Sequence, residues 1–156
     1  MFVEFHIKDI VTNRKALQDY AVLDKVEAGI ALVGTEVKSI RKNSINPQAA
    51  YAKVEGKEVF LYDLYIQPYE QAGSKQHEAK RRRKLLLHRR EINKLLGKVS
   101  RRGYSLVPLR FYWRNARIKV ELAIGRGRAS YDKRELLKKR ATQREAERET
   151  ASIYRR

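Results

Sequence analysis

Cysteine is absent from this chain of 156 residues, proline occurs three times, and methionine and tryptophan once each. Without thiols there is no disulfide framework and no thiolate metal site, which fits a reducing compartment. No apolar run approaches the roughly 18 residues of a membrane span. The opening MFVEFHIKDI interleaves acids with apolar residues and has no cleavage-site pattern, so no signal peptide is expected. The cytoplasm is the expected compartment, with no membrane partner. His6, His77 and His88 lie far apart, so no metal spacing exists, and neither metal nor cofactor is expected. Gly125-Arg126-Gly127 lacks the third glycine of a dinucleotide loop and lies in a strand rather than at a helix opening. Ser39–Lys42 and Ser130–Lys133 each match Ser-x-x-Lys, but the companion motifs are missing. These absences point away from an enzyme. A carboxylate-dependent nuclease stays open as a rival, with Glu36 the residue on which to test it.

Acid is also scarce. Against 36 Lys and Arg stand 18 Asp and Glu, a formal net charge of +18. Such an excess costs self-repulsion in a compact fold, and a polyanionic partner is the usual compensation. The last 27 residues, SYDKRELLKKRATQREAERETASIYRR, hold nine basic residues against five acidic ones, so the body carries most of the excess. Nucleic acid is therefore the first partner to consider. An anionic membrane would need a helix with a broad apolar face opposite its bases, and the tail offers only Leu136, Leu137, Ile153 and scattered Ala.

TNRKALQDY (12–20) reads as a short helix capped by Thr12 or Asn13. Val26, Ala28, Ile30 and Leu32 alternate with Glu27, Gly29 and Ala31, a strand with one buried face. VGTEVKSIRKN reads as a helix capped by Thr35, with Glu36 in its first turn and bases later, which complements the helix dipole. AYAKVEGKEVFLYDLYIQPY reads as a hairpin turning at Glu55-Gly56-Lys57, and residues 70–82 as a loop. RKLLLHRREINKLLGKV reads as a helix with Leu85, Ile92, Leu95, Leu96 and Val99 on one face. GYSLVPLRFYW and IKVELAIG are strands joined at Arg114–Arg117. In the second, Ile118, Val120, Leu122 and Ile124 face the core while Lys119 and Glu121 face outward. Hairpin-joined strands indicate a mainly β, antiparallel sheet with flanking helices, and a small closed barrel would remove its edges. Sequence patterning leaves barrel and sandwich both open. GRGRAS (125–130) reads as a hinge before the tail.

From Lys80 to Lys98 there are nine Lys or Arg and one acid, Glu91. Such a run is often only a solvated helix face. The basic body and nine tyrosines tilt the reading towards RNA, although most of those rings belong in the core. Lysines can track phosphates and rings can stack on unpaired bases. On a helical wheel Leu86 lies about 120° from the apolar stripe, an apolar contact for a loop or for a partner. Glu27 points outward from its strand. It can orient a neighbouring Arg, or accept from a base amino group or a ribose 2′-OH.

At EAGIALVGTEVKSIR (27–41), RKLLLHRREINKLLGKV (83–99) and YDKRELLKKR (131–140) the chain closely resembles the SmpB, or SsrA-binding protein, family. The likeness runs from about Asn13 to Arg148, with NRKA, GYSLVPLRFYW and KVELAI in family order. It implies an antiparallel oligonucleotide-binding-type barrel with flanking helices and a C-terminal tail. The expected division is a barrel domain over residues 1–127 and a basic tail over 128–156, disordered when free and helical on the ribosome. The implied function is to bind the tRNA-like domain of transfer-messenger RNA and deliver it to stalled ribosomes, with the tail reading an empty mRNA channel. The implied partners are that RNA and both ribosomal subunits, with elongation factor Tu and alanyl-tRNA synthetase reached indirectly through the RNA; the chain is expected to be a monomer. By family position Glu27, Leu86 and Lys119 contact the RNA. Lys84 and His88 belong to the same motif, and Asn13, Lys38 and Arg41 are neighbours. Asp132-Lys133-Arg134 matches the motif needed for tagging, preceded by Tyr131. GSKQHEAKRRR and IGRGRAS depart from the family's usual loop and lysine-rich hinge, and the first ten residues match no family pattern. The alternative is a ribosomal or general structured-RNA-binding protein without rescue activity.

Overall fold

The computed structural model describes residues 6–101 and 103–155. In chain order its elements are β1 (Ile7–Thr12), α1 (Arg14–Asp19), β2 (Tyr20–Ile30), α2 (Gly34–Arg41), β3 (Ile45–Asn46), β4 (Tyr51–Glu55), β5 (Glu58–Tyr62), β6 (Tyr65–Ile66), β7 (Arg83–Leu86), α3 (Arg89–Val99), β8 (Tyr104–Arg114), β9 (Arg117–Gly127) and α4 (Ser130–Tyr154). A short 3₁₀ turn spans Gly73–Lys75. Seven strands form an antiparallel sheet in the order β1-β8-β4-β5-β7-β2-β9, and a further β8–β9 pairing closes it. The result is the expected barrel, with β1 added along one edge of β8. Closure leaves only short edges for another chain to pair with.

Local chemistry sets the turns. The β4–β5 hairpin turns at Gly56 with φ +62, a left-handed conformation that glycine adopts without steric cost. Asn115, at φ 56, turns β8 into β9. Inside the barrel Val59, Leu61, Leu106, Phe111, Val120 and Leu122 are buried, and Ile92 and Leu95 of α3 join them. Asn13 caps α1 by accepting from the Ala16 N–H at 3.1 Å.

The largest departure from the sequence reading is at RKLL. Residues 83–86 form a strand, β7, and the helix begins only at Arg89. β7 fills the gap between β5 and β2, pairing Val59 with Leu85 on one side and Gly29 with Leu86 on the other. Leaving it helical would strand two rows of buried backbone groups. Leu85 is therefore in the barrel and absent from the α3 stripe, and Leu96 is half exposed. Thr35 is not a helix cap: Val33 precedes α2, its N–H donates to Glu36 Oε1 at 3.0 Å, and the Thr35 hydroxyl bonds His77. The start of the chain, unassigned from sequence, contributes β1.

The buried polar anchor is Glu36 with Arg83, both fully enclosed. Arg83 Nε donates to Glu36 Oε2 and its Nη1 to the Leu64 carbonyl, while Nη2 reaches the Ala79 carbonyl at 3.1 Å. Arg81 adds a bond of 2.6 Å to Glu36 Oε1. Burial alone would push the Glu36 carboxyl up. Bonds from Arg81 and the Val33 N–H, with the charge and bond of Arg83, outweigh it and hold the carboxyl below its ordinary range.

α4 is formed in the structure, whereas the sequence reading reserves its helix for the ribosome. It contains no Gly or Pro, the two residues that oppose a helix most strongly. Its anchor to the body is Asp19, whose carbonyl accepts from the Arg128 N–H at 2.7 Å and whose carboxylate pairs with Lys133 at 3.2 Å. The side chains of Tyr131 and Asp132 lie outside the described residues, as do residues 1–5.

Glu36→Gln should cost about 3–5 kcal/mol in urea unfolding at neutral pH, because it leaves the Arg83 charge buried without its counterion. Glu36 adds stability above the ordinary carboxylate range that is lost as pH falls through its lowered folded value. The gap between wild type and Glu36→Gln should therefore shrink on acidification; a gap that stays constant down to pH of about 3 would contradict this assignment.

Candidate nucleic-acid interface

Register brings distant residues into one row on the outside of the barrel. Leu86 on β7 pairs with Gly29 on β2, which pairs with Lys119 on β9, which pairs with Tyr112 on β8. Gly29 makes that row possible. A Cβ built on it would lie 3.1 Å from the Leu86 Cβ, so the missing side chain lets Leu86 lie across β2. Leu86 itself remains 52% exposed. The helical wheel set it off the apolar stripe and left loop packing and exposure both open; it is exposed, and the cause is strand alternation, which turns Arg83 and Leu85 inward and Lys84 and Leu86 outward.

Two residues along β2 from Gly29, Glu27 pairs with Glu121. Glu27 receives the Tyr112 hydroxyl on Oε2 and Arg114 Nη1 on Oε1, the latter at 2.7 Å. Burial pushes this carboxyl up, but the Tyr112 and Arg114 hydrogen bonds and the charges of Arg114 and Lys119 outweigh it, so Glu27 is held ionised below its ordinary range. Tyr112 responds in the opposite sense: burial first, then its bond to Glu27, raise the phenol strongly. It is a permanent donor. Beyond it Arg110 bridges Asp9 at 2.8 Å and Glu121 at 3.2 Å, and Lys25 pairs with Glu121 at 3.3 Å.

An open groove of about 660 Å³ gathers Glu27, Gly29, Leu86, His88, Arg41 and Lys119 around Trp113. Ile30, Leu32 and Val37 add apolar surface, and the Arg41 guanidinium lies 5.9 Å from the Trp113 ring centre. His88 stands at the N-cap of α3, its N–H donating to Glu91 at 3.0 Å. Five of the residues named from sequence thus share one wall or another of this groove. Cations and a carboxylate acceptor around apolar surface suit a polyanion that also presents base or sugar edges.

Three named residues lie elsewhere. Lys84 shares the outward face of β7 but pairs with Glu58 at 3.0 Å. Lys38 lies over the Tyr69 ring at 5.5 Å, beside a different cavity with His77 and Arg81. Asn13 requires a correction: it is buried, and its amide donates to the Pro47 and Pro108 carbonyls at 3.0 Å each. With its oxygen capping α1, it has no means of touching a ligand. Glu36, the test residue for a nuclease, is likewise enclosed between two arginines. Sequence reasoning missed Tyr112, Trp113 and Arg114. The outward parity of Tyr112 and Arg114 was readable along β8, but their neighbour across the sheet was not. In the tail, Lys133 is paired with Asp19 and Arg134 is exposed. Among the described residues no cluster of three His, Asp or Glu is placed to hold a metal ion, and no helix is long and apolar enough to cross a membrane.

Adjacent positions on β7 give a sharp check. Leu86→Asp should shift the melting temperature by no more than about 2–4 °C, roughly 1 kcal/mol for a chain this size. Leu85→Asp should prevent folding or lower the melting temperature far more, since it buries a charge in the barrel. Similar losses from the two substitutions would contradict the strand alternation.

Comparisons with known proteins agree with this fold. The family model for SmpB protein matches residues 10–152. The SsrA-binding protein of Geobacillus kaustophilus is 52% identical over 141 residues, covering 90% of this chain and 91% of the relative. That of Carboxydothermus hydrogenoformans is 48% identical over 147 residues, covering 94% and 99%. A solved chain from work described as "tmRNA-SmpB: a journey to the center of the bacterial ribosome" superposes with a TM-score of 0.67 at 41% identity, covering 83% of this chain and 95% of that one. With a matching model over nearly its whole length, relatives at about half identity and the same barrel, this chain belongs to the SmpB family.

Proposed function

We propose that this chain binds the tRNA-like domain of transfer-messenger RNA through the Leu86–Gly29–Lys119 row and Glu27, and delivers that RNA to stalled ribosomes for trans-translation. The observation that carries the reading is the convergence of Glu27, Leu86, Lys119, His88 and Arg41 on one groove from four separate segments. Lys119 supplies a phosphate contact, Leu86 an apolar contact for a base or ribose, and Glu27 an acceptor that phosphate cannot satisfy. Lys84 and Lys38 add outlying positive charge. The role is binding and delivery, with no chemical step assigned to the protein. Both ribosomal subunits are partners, and elongation factor Tu and alanyl-tRNA synthetase are reached through the RNA.

The body ends and the tail begins around Gly127, where β9 stops. α4 carries Lys133 and Arg134 in its first turns, and its assigned role is to enter the mRNA channel left empty on a stalled ribosome. There its bases meet ribosomal RNA, and Lys133 exchanges Asp19 for a ribosomal partner. An ion pair this exposed is worth at most about 1 kcal/mol, so the exchange is easy.

Three measurements test the reading. Lys119→Ala should flatten the dependence of RNA affinity on salt, with the slope falling by about one unit. Glu27→Ala should weaken binding by roughly 1–3 kcal/mol with the slope unchanged. Equal slopes for wild type and Lys119→Ala remove the phosphate assignment. Unrelated tRNA should compete poorly at about 150 mM salt; equal competition favours a general RNA-binding protein. Truncation after Gly127, or alanine at Asp132, Lys133 and Arg134, should leave RNA binding intact and abolish tagging on stalled ribosomes. Tagging by the truncated chain would refute the tail's role.

A further inference from the structure

We infer that Tyr112 and Arg114 are positioning residues that set the RNA specificity of Glu27, holding its carboxylate as a fixed acceptor in an otherwise cationic groove. The inference rests on the reading of Glu27 as an RNA contact. An outward-facing glutamate on a basic protein has several long cations within reach and three rotatable bonds of its own. Left free, it would fold down onto the nearest lysine, and close phosphates would repel it. Here both oxygens are taken from one side: the Tyr112 phenol donates to Oε2 and Arg114 to Oε1 at 2.7 Å. A carboxylate has about four acceptor positions, so one on each oxygen remains for a ligand, and about a third of the side chain is exposed to receive it.

The two donors divide the work. Arg114 offsets the negative charge, so phosphates elsewhere on the RNA are not repelled. Tyr112 fixes the direction without adding charge. Tyr112 is buried, 3% exposed, and the Arg110 guanidinium lies 4.5 Å from its ring centre, so the phenol has little room to swing away. Tyr112 also occupies the same cross-strand row as Lys119 and Gly29, so β-sheet register fixes its distance from Glu27. The ligand chemistry selected is a hydrogen-bond donor, a base amino or imino group or a ribose hydroxyl, held at a set angle to the Leu86 side chain.

Other groups that face Glu27 act in known directions. Lys119 on β9 supports the ionised form, and Glu121 opposite is itself neutralised by Arg110 and Lys25. Arg117 of β9, His88 and Glu91 of α3 and Arg41 of α2 line the same groove. Removing the Tyr112 hydroxyl removes the leading interaction that lowers the Glu27 value, so the carboxyl should protonate at higher pH than in the wild type. The sign follows: the acceptor is present above its folded value and is lost as pH falls through it.

The test is a double-mutant cycle with the full chain and a transcript of the tRNA-like domain, with dissociation constants measured from pH 5 to 8 and folding monitored by circular dichroism. Tyr112→Phe should weaken binding about tenfold at neutral pH, the scale of a hydrogen bond to a charged group. It should leave the salt slope unchanged and lose further affinity towards pH 5. In a Glu27→Gln background, Tyr112→Phe should have no additional effect. Wild-type affinity for Tyr112→Phe at every pH, or losses that multiply in the double variant, would overturn the inference while leaving Glu27 as an RNA contact. A Glu27→Gln variant that binds like wild type would instead overturn the reading on which it rests. Should Tyr112→Phe not fold, Arg114→Gln replaces it in the same cycle, with the same non-multiplying loss expected and a multiplying loss against the inference.

Discussion

One buried carboxylate holds the groove's architecture together. Glu36 accepts from the backbone at Val33, from Arg81 and from Arg83, while Arg83 reaches the carbonyls of Leu64 and Ala79. Segments far apart in sequence are thereby tied to one point. The pair need not add net stability, since enclosing two charges costs several kcal/mol before their attraction offsets it. Its effect is on register. With Arg83 committed to the interior, β7 has only one parity, and a slip of one residue would carry Leu86 into the barrel and Leu85 out of it. The same carboxylate fixes the start of α2, whose other end brings Arg41 over Trp113. Two walls of the groove are set by an interaction that no ligand touches.

A formal charge of +18 suggests a surface that binds any polyanion, but the acids are not scattered evenly over it. On the outer face of β1, β8, β9 and β2 they alternate with cations, Asp9–Arg110–Glu121–Lys25, ending beside Glu27 with its own two donors. Individual exposed pairs of this kind contribute little. Their arrangement makes the face polar and oriented rather than uniformly positive. On the proposed reading, general attraction falls to the rest of the body and discrimination to this face.

Elements with one clear period were legible in the sequence. The alternation of Ile118, Val120, Leu122 and Ile124 gave β9, Gly56 gave the hairpin, and Asn13 was one of two candidates, with Thr12, for the cap of α1. β7 was not legible, because Leu85, Leu86 and Leu87 in succession fit a helix and a strand equally, and Arg83 inverts the rule that a charged residue faces water. Glu27 and Lys119 were reached through family resemblance together with strand parity, and Leu86 through the resemblance and a helical wheel that does not apply to a strand. Asn13 was swept into the site by its neighbourhood in the motif, although its amide is spent on Pro47 and Pro108. Tyr112 and Arg114 were invisible for a different reason. They join the site through side-chain hydrogen bonds to Glu27, some 85 residues away and across the intervening β9, and local patterning contains no register.

α4 runs for 25 residues, which at about 1.5 Å per residue gives a rod of roughly 37 Å. At physiological ionic strength charges are screened over about 8 Å. The two ends of the rod therefore lie several screening lengths apart. Charges at one end do not sense those at the other. They combine only through geometry: once one end is held, the other searches a shell of fixed radius rather than the whole solution, and its effective concentration rises accordingly. On the proposed reading of body and tail as two binding ends, the length of α4 sets which pairs of sites one molecule can bridge.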